Sequence, residues 1–199
     1  MQIGVLANDQ QWEELKNSAI VDNCVRIYSQ SENVSRIDAF LILDDIQFDF
    51  HLTSKPVIKN SVSITLGEMN APPNLVRING WNSFIKRPKW ELAGQVTKEV
   101  REVFSSLGKQ EVIVLDQPGF VAARIISMII NEAYFALGDN ISTKEEIDIA
   151  MRSGTNYPYG PFEWALLIGR DKVFTLLNKL SAGEIRYHPA PLLAKEIKV

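Results

Sequence analysis

Residues 116–139 read DQPGFVAARIISMIINEAYFALGD, and this stretch decides how the chain is divided. Apolar side chains from Phe120 to Leu137 surround nearly the whole circumference of the helix that the pattern predicts. Pro118 suits the first turn of that helix and Gly138 suits its end. A helix that is apolar on most sides must be covered on most sides. We therefore expect the helix to be the centre of a helical domain and to contribute to a homodimer interface.

The chain after this helix is predicted to be helical throughout. Ser142 and Glu145 form the S-x-x-E pattern of a capping box in front of an amphipathic segment. Pro161 opens a further helix, and Pro189 and Pro191 precede a short last one. The spacing predicts an all-α C-terminal domain over residues 117–199.

The chain before residue 117 has a different pattern of apolar residues, with a period typical of strands. Six short runs rich in β-branched and aliphatic residues predict strands. One predicted helix follows the first run, with Asp9 as its N-cap, and a second ends at Gly108. The order predicts a small α/β domain with a mostly parallel sheet over residues 1–116. The six runs are QIGVLA, NCVRIYS, DAFLILD, KPVIKNSVSI, NLVRING and EVIVLD.

Composition excludes several classes of function. The chain has 199 residues and a net charge of -3, which gives no electrostatic reason to bind nucleic acid or an anionic membrane. Cys24 is the single cysteine, so no internal disulfide forms. The first ten residues lack the basic and apolar regions of a signal peptide. We expect a cytoplasmic protein without a membrane span.

Three stretches together point to a family. They are DQPGFVAARIISMIINEAYFALGD, STKEEIDIAMRSGTNYPYGPFEWALLIGRDKVF and YHPAPLLAKE. In order and spacing they closely resemble the C-terminal helical domain of the L-3-hydroxyacyl-CoA dehydrogenases. That family oxidises the 3-hydroxyl group of an acyl-CoA by transferring a hydride to NAD. The resemblance implies a Rossmann-like N-terminal half and a helical domain through which two chains form a homodimer.

The resemblance also assigns catalytic positions. The family uses a histidine as base and a glutamate that orients it, and these positions fall on Asn79 and Glu91. The family asparagine that binds the substrate falls on Ala123. An amide has no basic lone pair that titrates near neutral pH, so Asn79 cannot act as a general base. Glu91 is either the retained family glutamate or a solvated surface carboxylate.

The family serine that hydrogen-bonds substrate falls on Val62 or, with a small shift, on Ser61 or Ser63. His51 and His188 are the only histidines, and both are interpreted as structural or surface residues. They are far apart in the sequence and there is no cysteine cluster, so we expect no metal site.

The cofactor fingerprint is also missing. A dinucleotide-binding turn needs G-x-G-x-x-G, but the turn after the first strand reads GVLAND, with Gly4 as its one glycine. No acidic residue ends the second strand to hold a ribose hydroxyl, and Asp9 would repel a pyrophosphate. We therefore expect no NAD binding.

Two functions remain open at this point. The sequence favours a catalytically degenerate relative that keeps the dimer and an acyl-CoA-like cleft for binding or regulation. The alternative is an active NAD-dependent 3-hydroxyacyl-CoA oxidoreductase that uses altered residues.

Overall fold

The structure is a computed structural model, and it describes residues 1–30, 34–44 and 46–197. The chain forms two compact units, Met1–Phe120 and Val121–Val199. The division lies just after Phe120, whereas the sequence places it after Asp116.

The first unit contains a seven-stranded sheet built from the described residues. Its order is β2-β1-β3-β4-β5-β6-β7. Neighbouring strands are parallel except β5 and β6, which are antiparallel. This confirms the expected mostly parallel sheet. The strands are β1 (Ile3–Leu6), β2 (Cys24–Arg26), β3 (Ala39–Ile42), β4 (Val57–Asn60), β5 (Leu75–Ile78), β6 (Lys89–Ala93) and β7 (Gln110–Ile113).

Two helices, α1 (Asp9–Lys16) and α2 (Lys98–Ser106), belong to this unit. Leu15 of α1 and Phe104 of α2 lie in one apolar core with the sheet residues Leu41, Ile58 and Trp90. The amphipathic pattern of each helix predicts this placement, because its apolar stripe must be buried.

A second apolar core lies around Phe40, Ile42 and Val57. Phe48 packs edge-on against Phe40, with ring centroids 5.0 Å apart. The described parts of the connections between β2 and β5 contain short 3-10 turns, Val34–Arg36 and Phe50–Leu52, where a complete α/β fold has crossover helices. These connections supply partly buried apolar residues to the second core.

The strand order explains why the α/β unit is small. In a full dinucleotide-binding fold the order is 3-2-1-4-5-6, with two strands beyond the first. In the described chain, β2 alone lies beyond β1, and it has three residues. The point where the order reverses lies between β1 and β3, and a ligand crevice in such sheets lies at the carboxyl ends of these strands.

Among the described residues of the second unit, all regular secondary structure is helical. Its long helix α3 packs on α5, α6 and α7. Ile130 and Tyr134 of α3 are buried, and the Tyr134 ring contacts Phe162 with centroids 4.9 Å apart. The helices are α3 (Ala122–Gly138), α4 (Lys144–Thr155), α5 (Pro161–Ile168), α6 (Arg170–Ser181) and α7 (Pro191–Ile197).

Three predicted helix starts are wrong by a few residues. Asn8, and not Asp9, caps α1 with a full capping box. Thr143, and not Ser142, caps α4, and its box partner is Glu146. The helix predicted from Pro118 begins at Ala122.

The late start of α3 has a backbone cause. Gly119 and Phe120 have φ of 85° and 49°. Both angles lie outside the right-handed helical region, so the helix cannot include these residues.

No helix within the described residues combines the length and the apolar character needed to cross a bilayer.

Candidate functional site

Asn79 and Glu91 lie side by side in the α/β unit. Asn79 directly follows β5, and Glu91 is in the middle of β6. The antiparallel register pairs Ile78 with Leu92, which brings the two residues opposite each other. The Asn79 backbone N–H donates to the Glu91 carbonyl at 3.3 Å, and Asn79 Nδ2 donates to Glu91 Oε2 at 3.2 Å. The Asn79 side chain is 3% exposed.

The carboxylate fixes which way the Asn79 amide points. A carboxylate oxygen only accepts, so the amide nitrogen must face Glu91 and the amide oxygen must face away. Asn79 Oδ1 is buried and has no hydrogen-bond partner in the described part of the chain. Asn82 Oδ1, three residues along the same loop, is buried and unpaired in the same way. Buried polar atoms without partners are rare, so these two oxygens are candidate ligand contacts.

Asn60 holds the loop that carries Asn79. Its Oδ1 accepts from the Gly80 N–H at 3.0 Å, and its Nδ2 donates to the Leu43 carbonyl at 2.9 Å. A Cβ at position 80 would lie 3.0 Å from Asn60 Cβ, so glycine allows this close approach without displacing Asn60. Asn60 is the last residue of β4, and these two hydrogen bonds link it to the segments that follow β3 and β5.

Ser61 and Ser63 differ in their availability. The Ser61 hydroxyl donates to the Ile64 carbonyl at 2.7 Å and the residue is buried. Ser63 is half-buried in the loop after β4. Val62, at the unshifted position, is buried, and its carbonyl accepts from the Gly119 N–H at 2.8 Å. Of the two serines, Ser63 is the more accessible to a ligand.

Ala123 belongs to the helical unit, near the start of α3, and is fully buried. Its methyl group neither donates nor accepts a hydrogen bond. The proximity of Ala123 to Asn79 that the resemblance implies therefore stays a prediction.

The β1–α1 turn contains the groups that would face a dinucleotide. The Asn8 side chain accepts from the Gln11 N–H at 3.0 Å, and Gln11 Oε1 accepts from the Asn8 N–H at 3.1 Å. Gln11 is fully buried and donates to the Leu43 carbonyl at 2.8 Å. A pyrophosphate normally binds to free N–H groups at this helix start. The capping box here uses two of them.

Arg26, at the end of β2, lies over the same turn. Its guanidinium donates to the Ala7 carbonyl at 3.0 and 3.2 Å and pairs with Asp9 at 2.7 Å. The residue that would hold a ribose in a dinucleotide site is acidic, and Arg26 has the opposite charge. Arg26 and Asp9 therefore bridge the space in front of α1.

Gly4 lies inside β1 and not at the turn. A Cβ there would lie 2.7 Å from Ile37 and 3.1 Å from Ile27. Packing against these side chains explains the glycine, and no cofactor contact is needed. The turn residues thus do not fit the dinucleotide fingerprint: they include no glycine, and the helix start is capped and bridged.

An ion pair with one buried member lies at the end of the α/β unit. Arg77 of β5 is fully buried and pairs with Asp116. It also donates to the Ser61 carbonyl at 2.9 Å and the Gln117 carbonyl at 2.7 Å, and lies 4.2 Å from the centre of the Phe120 ring. Burial lowers the pKa of Arg77, and Asp116 opposes that shift. Arg77 thus fixes the PGF turn that precedes α3.

Two motifs in the helical unit have structural roles. Asp148 accepts from the Phe162 N–H at 2.8 Å and the Glu163 N–H at 3.1 Å, which stabilises the start of α5. Asn131 donates to the His188 carbonyl at 2.9 Å and accepts from the Ala190 N–H at 2.8 Å. The N-E-A and E-I-D motifs therefore hold the helices together.

An apolar groove of about 510 Å³ lies along α3. Ile125, Met128, Ile129 and Tyr187 supply its apolar lining, with Glu132 among its charged residues. Val121 and Ile125 are each 54% exposed, and Ile185, beside Tyr187, is 88% exposed. The predicted helix is thus buried on one side and apolar and exposed on the other.

The two histidines are exposed. The His51 ring packs on Phe50 at 4.7 Å, and His188 contributes its backbone carbonyl to Asn131. Within residues 1–30, 34–44 and 46–197, no three His, Cys, Asp or Glu side chains group closely enough to hold a metal ion.

Sequence reasoning assigned no functional role to Asn82 or Asn60, although both lie in stretches that resemble the family motifs, and it did not predict the strand β6. The spacing N-G-W-N places two amides on one turn, which is a detectable signal for Asn82. The segment KWELA has alternating buried and less buried residues, but it is short and carries charged residues, so its strand character is weak.

Comparison with known proteins identifies relatives. Residues 119–198 match the family described as 3-hydroxyacyl-CoA dehydrogenase, C-terminal domain. A 3-hydroxybutyryl-CoA dehydrogenase of Clostridioides difficile is 29% identical over 201 residues, which cover 97% of this chain and 70% of the relative. A 3-hydroxyadipyl-CoA dehydrogenase of Escherichia coli is 43% identical over 88 residues, which cover 43% of this chain and 18% of the relative.

Solved structures support the same fold. An (S)-3-hydroxybutyryl-CoA dehydrogenase of Ralstonia eutropha superposes with a TM-score of 0.74 at 18% identity, covering 99% of this chain and 93% of that chain. A 3-hydroxybutyryl-CoA dehydrogenase of Escherichia coli gives a TM-score of 0.61 at 28% identity, covering 70% of this chain and 31% of that chain. The first likeness concerns the fold alone.

Proposed function

Because this chain is a relative of the 3-hydroxyacyl-CoA dehydrogenases, we propose that it is a non-catalytic member that binds an acyl-CoA-like ligand as a homodimer. The observation that carries the proposal is the Asn79–Glu91 pair, an amide beside a carboxylate where the resemblance places the catalytic histidine and its glutamate. A positioned general base typically contributes 10²–10⁴-fold to a rate, and an amide supplies none of it.

The proposal includes the absence of NAD binding. The capping box of Asn8 and Gln11 uses N–H groups of α1, and the Arg26–Asp9 bridge lies before the helix. A dinucleotide would have to displace both. The loss of the glycine turn, the ribose acid and the histidine in one chain favours a protein without hydride transfer.

Ligand binding is supported by the free acceptor at Asn79. A 3-hydroxyl group donates a hydrogen bond, which Asn79 Oδ1 accepts without removing the proton. A 3-keto group only accepts, so it leaves the amide oxygen unpaired, and an unpaired buried polar atom is costly. We therefore propose that the chain prefers 3-hydroxyacyl-CoA to 3-ketoacyl-CoA.

The proposed homodimer uses the apolar groove on α3. Ile125, Met128 and Ile129 line the groove together with Tyr187, and Ile125 is 54% exposed, so the groove offers an apolar surface that a second copy of the chain can cover. A two-fold interface needs a self-complementary surface, and the groove carries both Glu132 and Arg186 at its edge.

Calorimetric titration tests the proposal. The ligands are NAD, NADH, CoA, acetoacetyl-CoA and (S)-3-hydroxybutyryl-CoA. We expect binding of the hydroxyacyl-CoA, weaker binding of acetoacetyl-CoA and no binding of either dinucleotide. Micromolar NAD affinity, or NADH-dependent reduction of acetoacetyl-CoA above background, would instead establish the active oxidoreductase.

A further inference from the structure

The loop that carries Asn79 and Asn82, residues 79–88, is here called the site loop. It has no regular secondary structure, and Ser83 within it has a φ of 74°. Few non-glycine residues adopt such an angle, because it is sterically unfavourable. Something outside the loop must therefore favour this conformation.

Glu14 of α1 binds the N–H groups of the site loop. Its Oε2 accepts from the Ser83 N–H at 3.0 Å, and its Oε1 accepts from the Lys86 N–H at 3.0 Å. The first of these bonds is made to the residue with the positive φ. One carboxylate thus satisfies two loop donors with its two oxygens.

Lys109 binds the carbonyl groups of the same loop. Its ammonium donates to the Ile85 carbonyl and the Arg87 carbonyl, each at 3.0 Å. It also contacts the Ser18 carbonyl at 2.8 Å, and lies 5.2 Å from the centre of the Trp90 ring. Lys109 is 4% exposed and follows α2 directly before β7.

The two opposite charges attract each other. Burial lowers the pKa of Lys109, and the negative charge of Glu14 opposes that shift. The Glu14 carboxylate accepts hydrogen bonds from N–H groups of the loop, and the Lys109 ammonium donates to its carbonyl groups. Neither residue can therefore replace the other. Trp90 adds one neutral bond, from Nε1 to the Ile85 carbonyl at 3.0 Å.

We propose that Glu14 and Lys109 are positioning residues, a clamp of opposite charges that holds the site loop so that Asn79 and Asn82 present their acceptors. The expected effect on ligand binding rests on the proposed function, whereas the expected effect on the conformation of the loop is independent of it. If the clamp is released, a smaller fraction of molecules has a binding-competent loop, and the apparent affinity falls by that fraction.

Amide hydrogen exchange, measured residue by residue by NMR, tests the clamp without any ligand. The variant is Glu14→Gln, which keeps the shape but leaves one acceptor oxygen for two N–H groups. We expect exchange at Ser83 or Lys86 to become about ten-fold faster, while Val76 in the middle of the sheet is unchanged. Glu13→Gln is the matched control, because Glu13 is on the same helix and pairs with Lys16.

Lys109→Met provides a second, independent variant, because methionine keeps the length and removes all donors. It should speed exchange in the site loop as Glu14→Gln does. Unchanged exchange in the site loop of both variants, or an equal rise throughout the sheet, would overturn the clamp.

Titration of the same proteins with (S)-3-hydroxybutyryl-CoA separates the two proposals. We expect Glu14→Gln to weaken binding about five-fold or more and Glu13→Gln to leave it unchanged. A loosened loop with full affinity would overturn the positioning role. A loosened loop in a protein whose wild type binds no acyl-CoA would support the clamp and overturn the proposed function.

Discussion

The buried guanidinium of Arg77 and the partly exposed carboxylate of Asp116 form an ion pair that joins β5 to the segment leading into α3. Arg77 is fully buried, and its remaining donors are used by the carbonyls of Ser61 and Gln117. The carboxylate also accepts from the Leu66 N–H at 3.0 Å. One pair thus fixes three segments of the α/β unit.

Asp116→Asn should destabilise the chain strongly. It leaves the Arg77 charge buried without its counter-ion, which costs roughly 3–5 kcal/mol when a pair is fully buried. Asp116 is 33% exposed, so water offsets part of the loss, and we expect about 2 kcal/mol. Urea denaturation of wild type and variant measures this difference in the free energy of unfolding.

The control for this variant is Glu111→Gln. Glu111 pairs with Arg101, which is 56% exposed, so its loss should cost less than about 1 kcal/mol. Equal effects of the two variants would show that the burial of Arg77 does not matter.

Asn131→Leu should destabilise the helical unit. The His188 carbonyl and the Ala190 N–H would both lose their partner, and Ala190 is fully buried. We expect a loss of about 2–4 kcal/mol from two unsatisfied groups. Asn178→Leu on the exposed side of α6 should change stability by less than about 0.5 kcal/mol. If Asn131→Leu lowers the free energy of unfolding by less than about 1 kcal/mol, within error of this control, Asn131 does not hold the helices together as described.

Lys109 should make stability depend on pH. Burial lowers the pKa of Lys109 to about 8, from 10.5 in the unfolded chain. Between these values the unfolded chain binds more protons, so the free energy of unfolding should rise with pH. The measurement is urea denaturation at intervals from pH 7 to pH 10.

Comparison with Lys109→Met isolates this contribution, because the other titrating groups are common to both proteins. Burial raises the pKa of Cys24 from 9.0 to about 11, which lowers stability as pH rises through that window. The difference between wild type and variant should still move in favour of wild type above pH 8. A constant difference would mean that the pKa of Lys109 is the same in both states.

Ile125→Glu tests the homodimer. Ile125 lies in the groove on α3 and is 54% exposed. A carboxylate there would be desolvated at a two-fold contact, so dimer dissociation should become about 100-fold easier. Ile149→Glu on α4 is the matched control, because Ile149 is 55% exposed and outside the groove. Light scattering that finds the wild type monomeric at high micromolar concentration would refute the dimer.

The sequence predicts the fold better than the site. The division into a mostly parallel α/β unit and a helical unit follows from apolar periodicity, and the structure agrees. The start of α3 is misplaced because the positive φ of Gly119 and Phe120 is set by tertiary contacts with Arg77 and Val62. Such contacts have no local sequence signal.

The site shows the same limit. Spacing relative to the family motif identifies Asn79 and Glu91, and the structure places them within hydrogen-bond distance. Glu14 lies 69 to 72 positions from the site-loop residues that it contacts. Lys109 lies 22 to 24 positions from its own site-loop partners. No periodicity in one sequence reveals pairs of that kind.

Restoring the family residues should not restore catalysis. The variants are Asn79→His alone and Asn79→His combined with Ala123→Asn. Histidine beside Glu91 recreates an oriented base, which is worth 10²–10⁴-fold only if a hydride donor lies against the substrate. In this chain Asn8 caps the N-terminus of α1 and Arg26 pairs with Asp9 there, so we expect no prepared position for NADH.

We therefore expect no NADH-dependent reduction of acetoacetyl-CoA by wild type or by either variant. Because Ala123 is fully buried, the double variant also carries a packing penalty, and the single variant keeps the test valid if the double one misfolds. Turnover by wild type would defeat the non-catalytic proposal. Turnover that appears only after Asn79→His would show that NADH binds despite the capped helix, and that the loss of activity lies in the acid–base residues alone.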